Sequence, residues 1–497
     1  MGTLKIQNMS FRYDGMTDEL FADVNLAIDE SWKLGLIGRN GRGKTTLLNI
    51  LRGQLDYHGS IETNLTFNYF PAEVSNPNET TEQVLLAITQ TDVSELWKIQ
   101  IEMDQLGLSD AILSQPFNQL SPGEQTKALL AASFSQPAQF GLIDEPTNHL
   151  DSAGREVVAN YLKQKTGFIV ISHDRAFLNA IIDHVISIDQ TQLQLFAGNC
   201  DTWQAAFDQK NQSEAQLKSK IEREVKTLKQ SAEQTKSWAT QAEKGKNKSA
   251  HQNQQVNLDK GFISHKASKV MKKAQNTLKR TEAGIEQKQQ LLKNVETPQV
   301  LTLNYHPLSK TVVTVQDLQV IRGERQLLNS ALNFELKPGE RLVLQGLNGS
   351  GKSTILHALQ GETFLISGGT VHWAHQVKIS YVSQTFDNLS GSLQEYADQY
   401  HLELSDLLNM LRKLGFERQT FQVDLSQMSM GQQRKLAIAR SLCEPANVYL
   451  WDEPLNYLDV ITRQEIETLI TESQPTMIVV DHDTTFTEAI GTKYLSI

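Results

Sequence analysis

The chain has 497 residues, of which 39% are apolar and 21% charged, and a formal net charge of −10. That is material for two or three globular domains. Its longest apolar runs, Val84 to Ile88 and Ala128 to Ala132, are five residues; a membrane-spanning helix needs roughly 18 or more, so transmembrane segments are excluded. The start, Met1-Gly2-Thr3-Leu4-Lys5, has no apolar core of the kind a secretory signal carries. Cys200 and Cys443 are too few for a disulfide framework, which favours a reducing cytosol. The acidic total argues against a general nucleic-acid coat but says nothing of local charge.

In chain order, a strand-like run from Trp32 to Ile37 leads into Gly38-Arg39-Asn40-Gly41-Arg42-Gly43-Lys44-Thr45-Thr46 and then a helix-like stretch. This is the phosphate-binding pattern G-x-x-x-x-G-K-[ST]. Glycines let backbone N–H groups curl around phosphates, and the following helix start favours anions. Lys44 is placed to bind β- and γ-phosphates and Thr45 to ligate Mg²⁺. Further on, Leu142-Ile143-Asp144-Glu145-Pro146 sets two carboxylates after an apolar strand. Val170-Ile171-Ser172-His173-Asp174 sets a histidine after another.

The charge then changes sign. Residues 201–305 carry 19 Lys and Arg against 11 Asp and Glu, and Lys236 to Lys273 carries nine lysines against Glu243 and Asp259. No proline occurs between Pro146 and Pro298. The spacing predicts two long helices. The first runs from about Thr202 to Ala242, with Leu217, Ile221, Val225 and Leu228 on one stripe. The second runs from about Ser264 to Val295, with Met271, Leu278, Ile285 and Leu292 spaced by seven. An antiparallel hairpin with a basic tip near residues 243–263 accommodates both. Composition alone leaves open a solvated helical spacer. Phe262 in the tip reads first as a packing residue of the turn.

Beyond the linker the pattern returns. Arg341 to Gln345 leads into Gly346-Leu347-Asn348-Gly349-Ser350-Gly351-Lys352-Ser353-Thr354, with Lys352 and Ser353 in the places of Lys44 and Thr45. Lys44 to Lys352, Ser121 to Ser429, Glu145 to Glu453 and Asp151 to Asp459 are each 308 residues apart, and His173 to His482 is 309. Two copies of one ATPase domain explain that register. The expected architecture is α/β: two tandem P-loop domains, residues 1–201 and 306–497, joined by a basic helical hairpin, residues 202–305.

These residues carry a family resemblance. Leu120-Ser121-Pro122-Gly123-Glu124 and Met428-Ser429-Met430-Gly431-Gln432 resemble the signature motif of ABC ATPases. The segments around Asp144-Glu145 and Asp452-Glu453 resemble Walker B with its glutamate, and His173 and His482 the switch histidines. The resemblance implies ATP and Mg²⁺ as cofactors, with Thr45, Asp144, Ser353, Gln384 and Asp452 around the metal. Glu145 and Glu453 would polarise the attacking water. It implies head-to-tail pairing, with one ATP between Lys44 and Ser429–Gly431 and the other between Lys352 and Ser121–Gly123. Glu124 and Gln432 belong to the same signatures, and Tyr13 is placed to stack on adenine. The copies depart from each other. Ala72 stands where the first Q-loop expects glutamine, Val320-Ile321-Arg322 offers no ring opposite Tyr13, and Pro122 and Met430 replace a common glycine. Two unequal ATP sites are expected.

Tandem ABC domains without a membrane span, joined by about 100 basic helical residues, resemble the ABC-F class. Gly198-Asn199-Cys200-Asp201-Thr202-Trp203 is similar to the lead-in to the linker of that class. Trp32 to Ile37 and Tyr449 to Asp459 are similar to the Lsa-type resistance proteins. The 49 residues from Ala72 to Ser121, against 45 from Gln384 to Ser429, leave no room for an added arm. The chain ends at Ile497, just past the second switch histidine, so no C-terminal extension is expected. The resemblance implies a bacterial, cytoplasmic, ribosome-associated protein, a monomer with an internal pseudo-dimer of ATPase domains. Its hairpin would enter the 70S ribosome at the E site, near 23S rRNA of the peptidyl-transferase centre and P-site tRNA. There it would relieve inhibition by lincosamides, streptogramin A and pleuromutilins. A translation factor of the same class without a drug role shares every motif. The ATPase subunit of a transporter with a separate membrane partner shares all but the basic linker.

Overall fold

In the computed structural model the described residues are 2–16, 19–136, 139–148, 150–252, 301–323, 325–347, 349–385, 389–416 and 418–497. The second linker helix with its sevenfold stripe, Phe262, the tip from residue 253 onward, and Asn348 lie outside them. The chain divides into two compact units, one of Met1–Trp203 with Val300–Ile497 and one of Gln204–Gln299.

The first unit holds the two copies. Lys33–Ile37, Gln139–Asp144 and Phe168–Ile171 are short, almost wholly buried strands, as expected of a parallel sheet covered on both faces. With Thr66–Phe70 and His184–Asp189 they form a parallel sheet, extended by antiparallel Gln192–Ala197. The P-loop strand lies between the strand leading to His173 and His184–Asp189. The second copy repeats this order as Ile379–Val382, Val448–Asp452, Met477–Val480, Arg341–Gln345 and Lys493–Ser496. Each copy adds an antiparallel sheet, around Thr3–Phe11 in the first and Val313–Arg322 in the second. In both copies the P-loop, Walker B and switch residues therefore emerge at the carboxyl ends of neighbouring parallel strands, where α/β sheets present their ligand sites.

Polar side chains tie helix to sheet in the second copy. Trp451, fully buried, donates from Nε1 to Ser441 Oγ at 3.0 Å, and Ser441 Oγ lies 2.8 Å from Ser380 Oγ. Ser380 donates in turn to Glu444. The copies also meet. Arg39 reaches Glu465 at 2.5 Å, and the Asn40 N–H donates to Asp459 Oδ2 at 3.0 Å. Arg175 lies 3.7 Å from Glu467. Asp459 is fully buried and caps its helix by accepting from the Thr462 N–H at 2.9 Å, with Lys435 Nζ 3.3 Å away.

The linker's first helix is longer than its expected span: it runs from Cys200 to Gln252, so residues 243–252 continue the helix rather than begin a turn. That stretch holds no proline, and its one glycine, Gly245, costs a helix only about 1 kcal/mol relative to alanine. Ile221 and Val225 on its stripe are buried. Residues 301–305, placed with the linker in the expected division of the chain, pack with the second copy. Leu301 is buried in its core, Asn304 donates to Leu442 O, and Tyr305 bridges to Ala446. No helix among the described residues is long and apolar enough to cross a membrane.

Two stability outcomes follow. Trp451→Phe removes the indole donor and leaves Ser441 short of a partner, costing about 1–3 kcal/mol, read as a lower urea midpoint. Asp459→Asn leaves Lys435 buried without its counter-charge, costing about 3–5 kcal/mol. Burial pushes the Asp459 carboxyl up, but Lys435, Lys44 and backbone donors hold it far below the usual range. Its contribution is therefore complete above the unfolded carboxylate value of about 3.9 and is lost as pH falls towards the folded value. Urea midpoints between pH 3 and 7 should fall less steeply on acidification in Asp459→Asn than in the parent.

Candidate functional site

Each P-loop helix begins at a glycine with positive φ, Gly43 at 90° before Lys44–Leu51 and Gly351 at 101° before Lys352–Gln360. A residue with Cβ would be strained there. Both lysines are buried and fold back over their own loops. Lys44 Nζ donates to Gly38 O at 2.9 Å and to Asn40 Oδ1 at 3.1 Å. Lys352 Nζ donates to Gly346 O at 2.8 Å and Leu347 O at 2.9 Å. Burial pushes both lysines below their ordinary values, against the pull of Asp459 and Glu145 on Lys44 and of Glu453 and Asp452 on Lys352.

Glu145 and Glu453 both lie at positive φ, 53° and 49°. Strained non-glycine backbone concentrates at functional sites, and here it recurs at matched positions. Each is pinned by its N–H, to Ile171 O at 2.9 Å and to Val480 O at 2.7 Å. His173 Nε2 is 3.1 Å from Glu145 Oε1, and His482 Nε2 is 3.5 Å from Glu453 Oε1.

The surroundings differ. Burial and the neighbouring Asp144 charge push Glu145 up to about 8. Burial also acts on Glu453, but hydrogen bonds from His482, Gln384 and Asn456 outweigh it and leave the carboxyl below its ordinary value. The Asn456 amide donates to Glu453 at 2.6 Å. Burial, with Lys44 and Arg463 adding to it, holds His173 well below the usual imidazole value.

The Walker B aspartates differ too. Thr45 Oγ1 donates to Asp144 Oδ2 at 2.9 Å, and the Tyr69 hydroxyl approaches the same oxygen at 3.4 Å. Both oxygens of Asp452 are buried without a hydrogen bond of ordinary geometry. Burial pushes this carboxyl up to about 6, and the nearby Ser353 hydroxyl, looser than an ordinary hydrogen bond, opposes it. Gln384 follows the strand Ile379–Val382, and Arg434 grips the turn by donating to Ser383 O and Gln384 O, each at 2.8 Å. The first copy has Ala72 and Thr126 at the corresponding places, so it lacks both the glutamine and its clasp.

Ser121 and Ser429 are N-caps. Each accepts from the backbone N–H of Glu124 or Gln432 at 3.3 Å, while those side chains reach back to the serine N–H at 2.9 Å. These capping boxes give Glu124 and Gln432 a structural role and hold each signature helix start in place.

The head-to-tail pairing is visible at both ends. Ser121, Gly123 and Glu124 line one cleft of about 1050 Å³ with Gly349, Gly351, Lys352, Ser353, Thr354, Gln384, Glu453 and His482; Glu145 and His173 also line it. At the other end, the Asn40 amide donates to Tyr457 O at 2.7 Å and its N–H to Asp459. A Cβ on Gly431 would meet Tyr457 O at 3.1 Å and the Asn40 amide at 3.4 Å. The first P-loop is thus gripped by the second copy, while the second faces an open cleft. Gly41 and Thr46 lie within the first P-loop, and Tyr13 Oη is 2.9 Å from Thr46 Oγ1. Sequence reasoning did not single out Asn456, Tyr457, Glu465, Arg434 or Tyr69. Asn456 sits 308 residues after Asn148, so the internal register contained that signal; the contacts between copies had none.

A family model described as "ABC transporter" matches residues 21–148 and 329–456. Ribosome protection protein VmlR of Bacillus subtilis (strain 168) is 29% identical over 97% of this chain and 84% of its own length. Erythromycin resistance ATP-binding protein MsrA of Staphylococcus epidermidis is 28% identical over 93% of this chain and 91% of its own. Among solved structures, a complex of archaeal ribosomal stalk protein aP1 with ribosome recycling factor aABCE1 matches with a TM-score of 0.63. That match has 18% identity and covers 98% of this chain and 87% of that one, a likeness of fold. The chain belongs to the ABC family, as an ABC-F member that binds and hydrolyses ATP with two domains in tandem.

Proposed function

We propose that this chain is a ribosome-protection ATPase: it binds the bacterial 70S ribosome at the E site in its ATP-bound form. Its basic linker reaches toward 23S rRNA of the peptidyl-transferase centre and P-site tRNA, relieving inhibition by lincosamides, streptogramin A and pleuromutilins. The observation that carries this reading is the split of charge. The 201–305 segment is net +8 within a chain of net −10, and its first part is a single helix from Cys200 to Gln252. Lysines along such a helix suit RNA phosphates, and A-form RNA is met by shape and backbone contacts rather than by base sequence. The relatives named for ribosome protection and erythromycin resistance span nearly the whole chain, linker included.

Within the ATPase body, Lys44 and Lys352 release their own loop carbonyls to hold β- and γ-phosphates. Backbone N–H groups of Gly41, Gly43, Gly349 and Gly351 complete each cradle. Ser121 and Ser429, with Gly123 and Gly431, present helix starts to the γ-phosphate held by the opposite copy. The donor sets fit Mg²⁺: Asp452, with two unsatisfied buried oxygens beside Ser353, and Asp144 beside Thr45 are hard oxygen ligands next to the phosphate cradle. Bound there, the ion neutralises charge developing on the phosphate oxygens. Glu145 and Glu453 orient and polarise the attacking water, steadied by His173 and His482. Tyr13 stacks on adenine in the first copy only. ATP closes the copies on each other and hydrolysis releases them.

The second site has the fuller set: Gln384 clasped by Arg434, and Glu453 held by Asn456. Glu453→Gln should lower steady-state ATP turnover by about 10²–10³-fold and Glu145→Gln by less than about tenfold. Equal losses would sink the assignment of unequal sites. The double variant, held closed by ATP, should co-sediment with 70S ribosomes. A variant that binds ATP yet stays off ribosomes at low salt would defeat the ribosomal reading. Deleting residues 243–263 should preserve ATP binding and abolish protection. Expression in a drug-sensitive bacterium checks the drug role, since unchanged susceptibility to lincomycin and tiamulin would remove it.

A further inference from the structure

The first copy carries a surface that neither ATP site uses. Between Arg52 and Lys127 its sequence holds eleven acidic residues and one cation, Lys98. The corresponding stretch of the second copy, residues 361–434, holds eight acidic residues and five cations. On this acidic lobe a short 3-10 turn, Val93–Glu95, runs into the helix Leu96–Gln105. Val93, Trp97 and Ile101, spaced by four, are 66%, 54% and 49% exposed. Its inner face, Ile99, Met103 and Leu106, is buried.

The second copy supplies an internal control. At the 308-residue offset, Leu407, Leu411 and Leu414 are buried as their counterparts are. The outer positions, however, are His401, Ser405 and Asn409. The fold therefore requires the inner face and not the outer stripe. Lys98 is already committed to Glu95 and Lys165 to Glu102, each at 2.6 Å, while Asp92 and Asp104 stand exposed at the two ends.

We propose that Val93, Trp97 and Ile101, within their acidic surround, are the docking surface for a basic protein of the ribosome that brings an apolar anchor; this rests on the ribosomal reading above. Charge decides among the occupants. RNA phosphates are repelled where Asp92 and Asp104 flank the stripe and the nearby lysines are already paired. A second copy meeting this face symmetrically would set the same acids against each other. A basic protein gains from the surround and buries the stripe, with Trp97 as the kind of anchor that dominates interfaces.

The test replaces the stripe with the residues of the second copy, Val93→His, Trp97→Ser and Ile101→Asn, in the full chain. In the Glu145→Gln, Glu453→Gln background with ATP, apparent affinity for purified 70S ribosomes should fall by about tenfold or more. ATP turnover without ribosomes, measured with Glu145 and Glu453 intact, should be unchanged. A photo-crosslinking phenylalanine analogue at position 97 should give a protease-sensitive, RNase-resistant adduct with one ribosomal protein. Affinity within twofold of the parent, or an RNase-sensitive adduct, overturns the surface while leaving the ribosomal function standing. A parent that does not sediment with ribosomes overturns both. Dimerisation of the parent alone, lost in the triple variant, overturns it in favour of a second copy.

Discussion

Asp459 is the point on which the two ATPase copies turn. It is fully buried, yet Lys435, Lys44 and the N–H groups of Asn40 and Thr462 keep it ionised. A buried charge is tolerable only with such partners, and two of these, Lys44 and Asn40, belong to the P-loop of the other copy. One carboxylate thus caps a helix, neutralises a lysine of its own signature helix and holds the facing P-loop. Its counterpart Asp151 caps a helix through the Gly154 N–H at 2.8 Å and lines the open cleft. The same residue type at the same register therefore serves a gripped site at one end and an accessible one at the other.

That difference runs through the chemistry. In the open site Glu453 receives hydrogen bonds that favour its charged form, while Asp452 waits with unsatisfied oxygens. In the gripped site Asp144 is already served by Thr45, and burial favours the neutral form of Glu145. Hydrogen bonds to a carboxylate and burial of one act in opposite directions, so two copies of one motif reach different electrostatic states without any change in the motif. The unlike residues lie beside it: Ala72 against Gln384, and Thr126 against Arg434.

The fold was largely legible because the 308-residue register repeats strands, glycines, carboxylates and caps together, and chance does not align all of these. The P-loops, Walker B pairs and signatures were legible because their chemistry demands particular residues at fixed spacing. The contacts between copies were not, since Asn40 to Tyr457 and Arg39 to Glu465 join residues more than 400 positions apart with no local pattern. A basic, polar run looks alike whether it continues a helix or caps a turn, so the spacing ends the first linker helix near Ala242 where the structure carries it to Gln252. Residues 301–305 carry no charge to separate them from a linker, and only their packing on Leu442 and Ala446 assigns them to the second copy.

Net charge shows the same limit of totals. A value of −10 reads as a molecule indifferent to nucleic acid, yet it sums a basic linker and an acidic body. Within that body the acid is again concentrated, with one cation among the 74 residues from 53 to 126. Electrostatic fields act locally, over about 8–10 Å at physiological salt. On the ribosomal reading proposed above, a partner built of both RNA and basic protein meets two surfaces of opposite sign on one chain. The linker lowers the cost of approaching phosphate, and the acidic lobe raises it where that lobe faces phosphate. Orientation on such a partner then follows from where the two signs lie along the sequence, before any single contact forms.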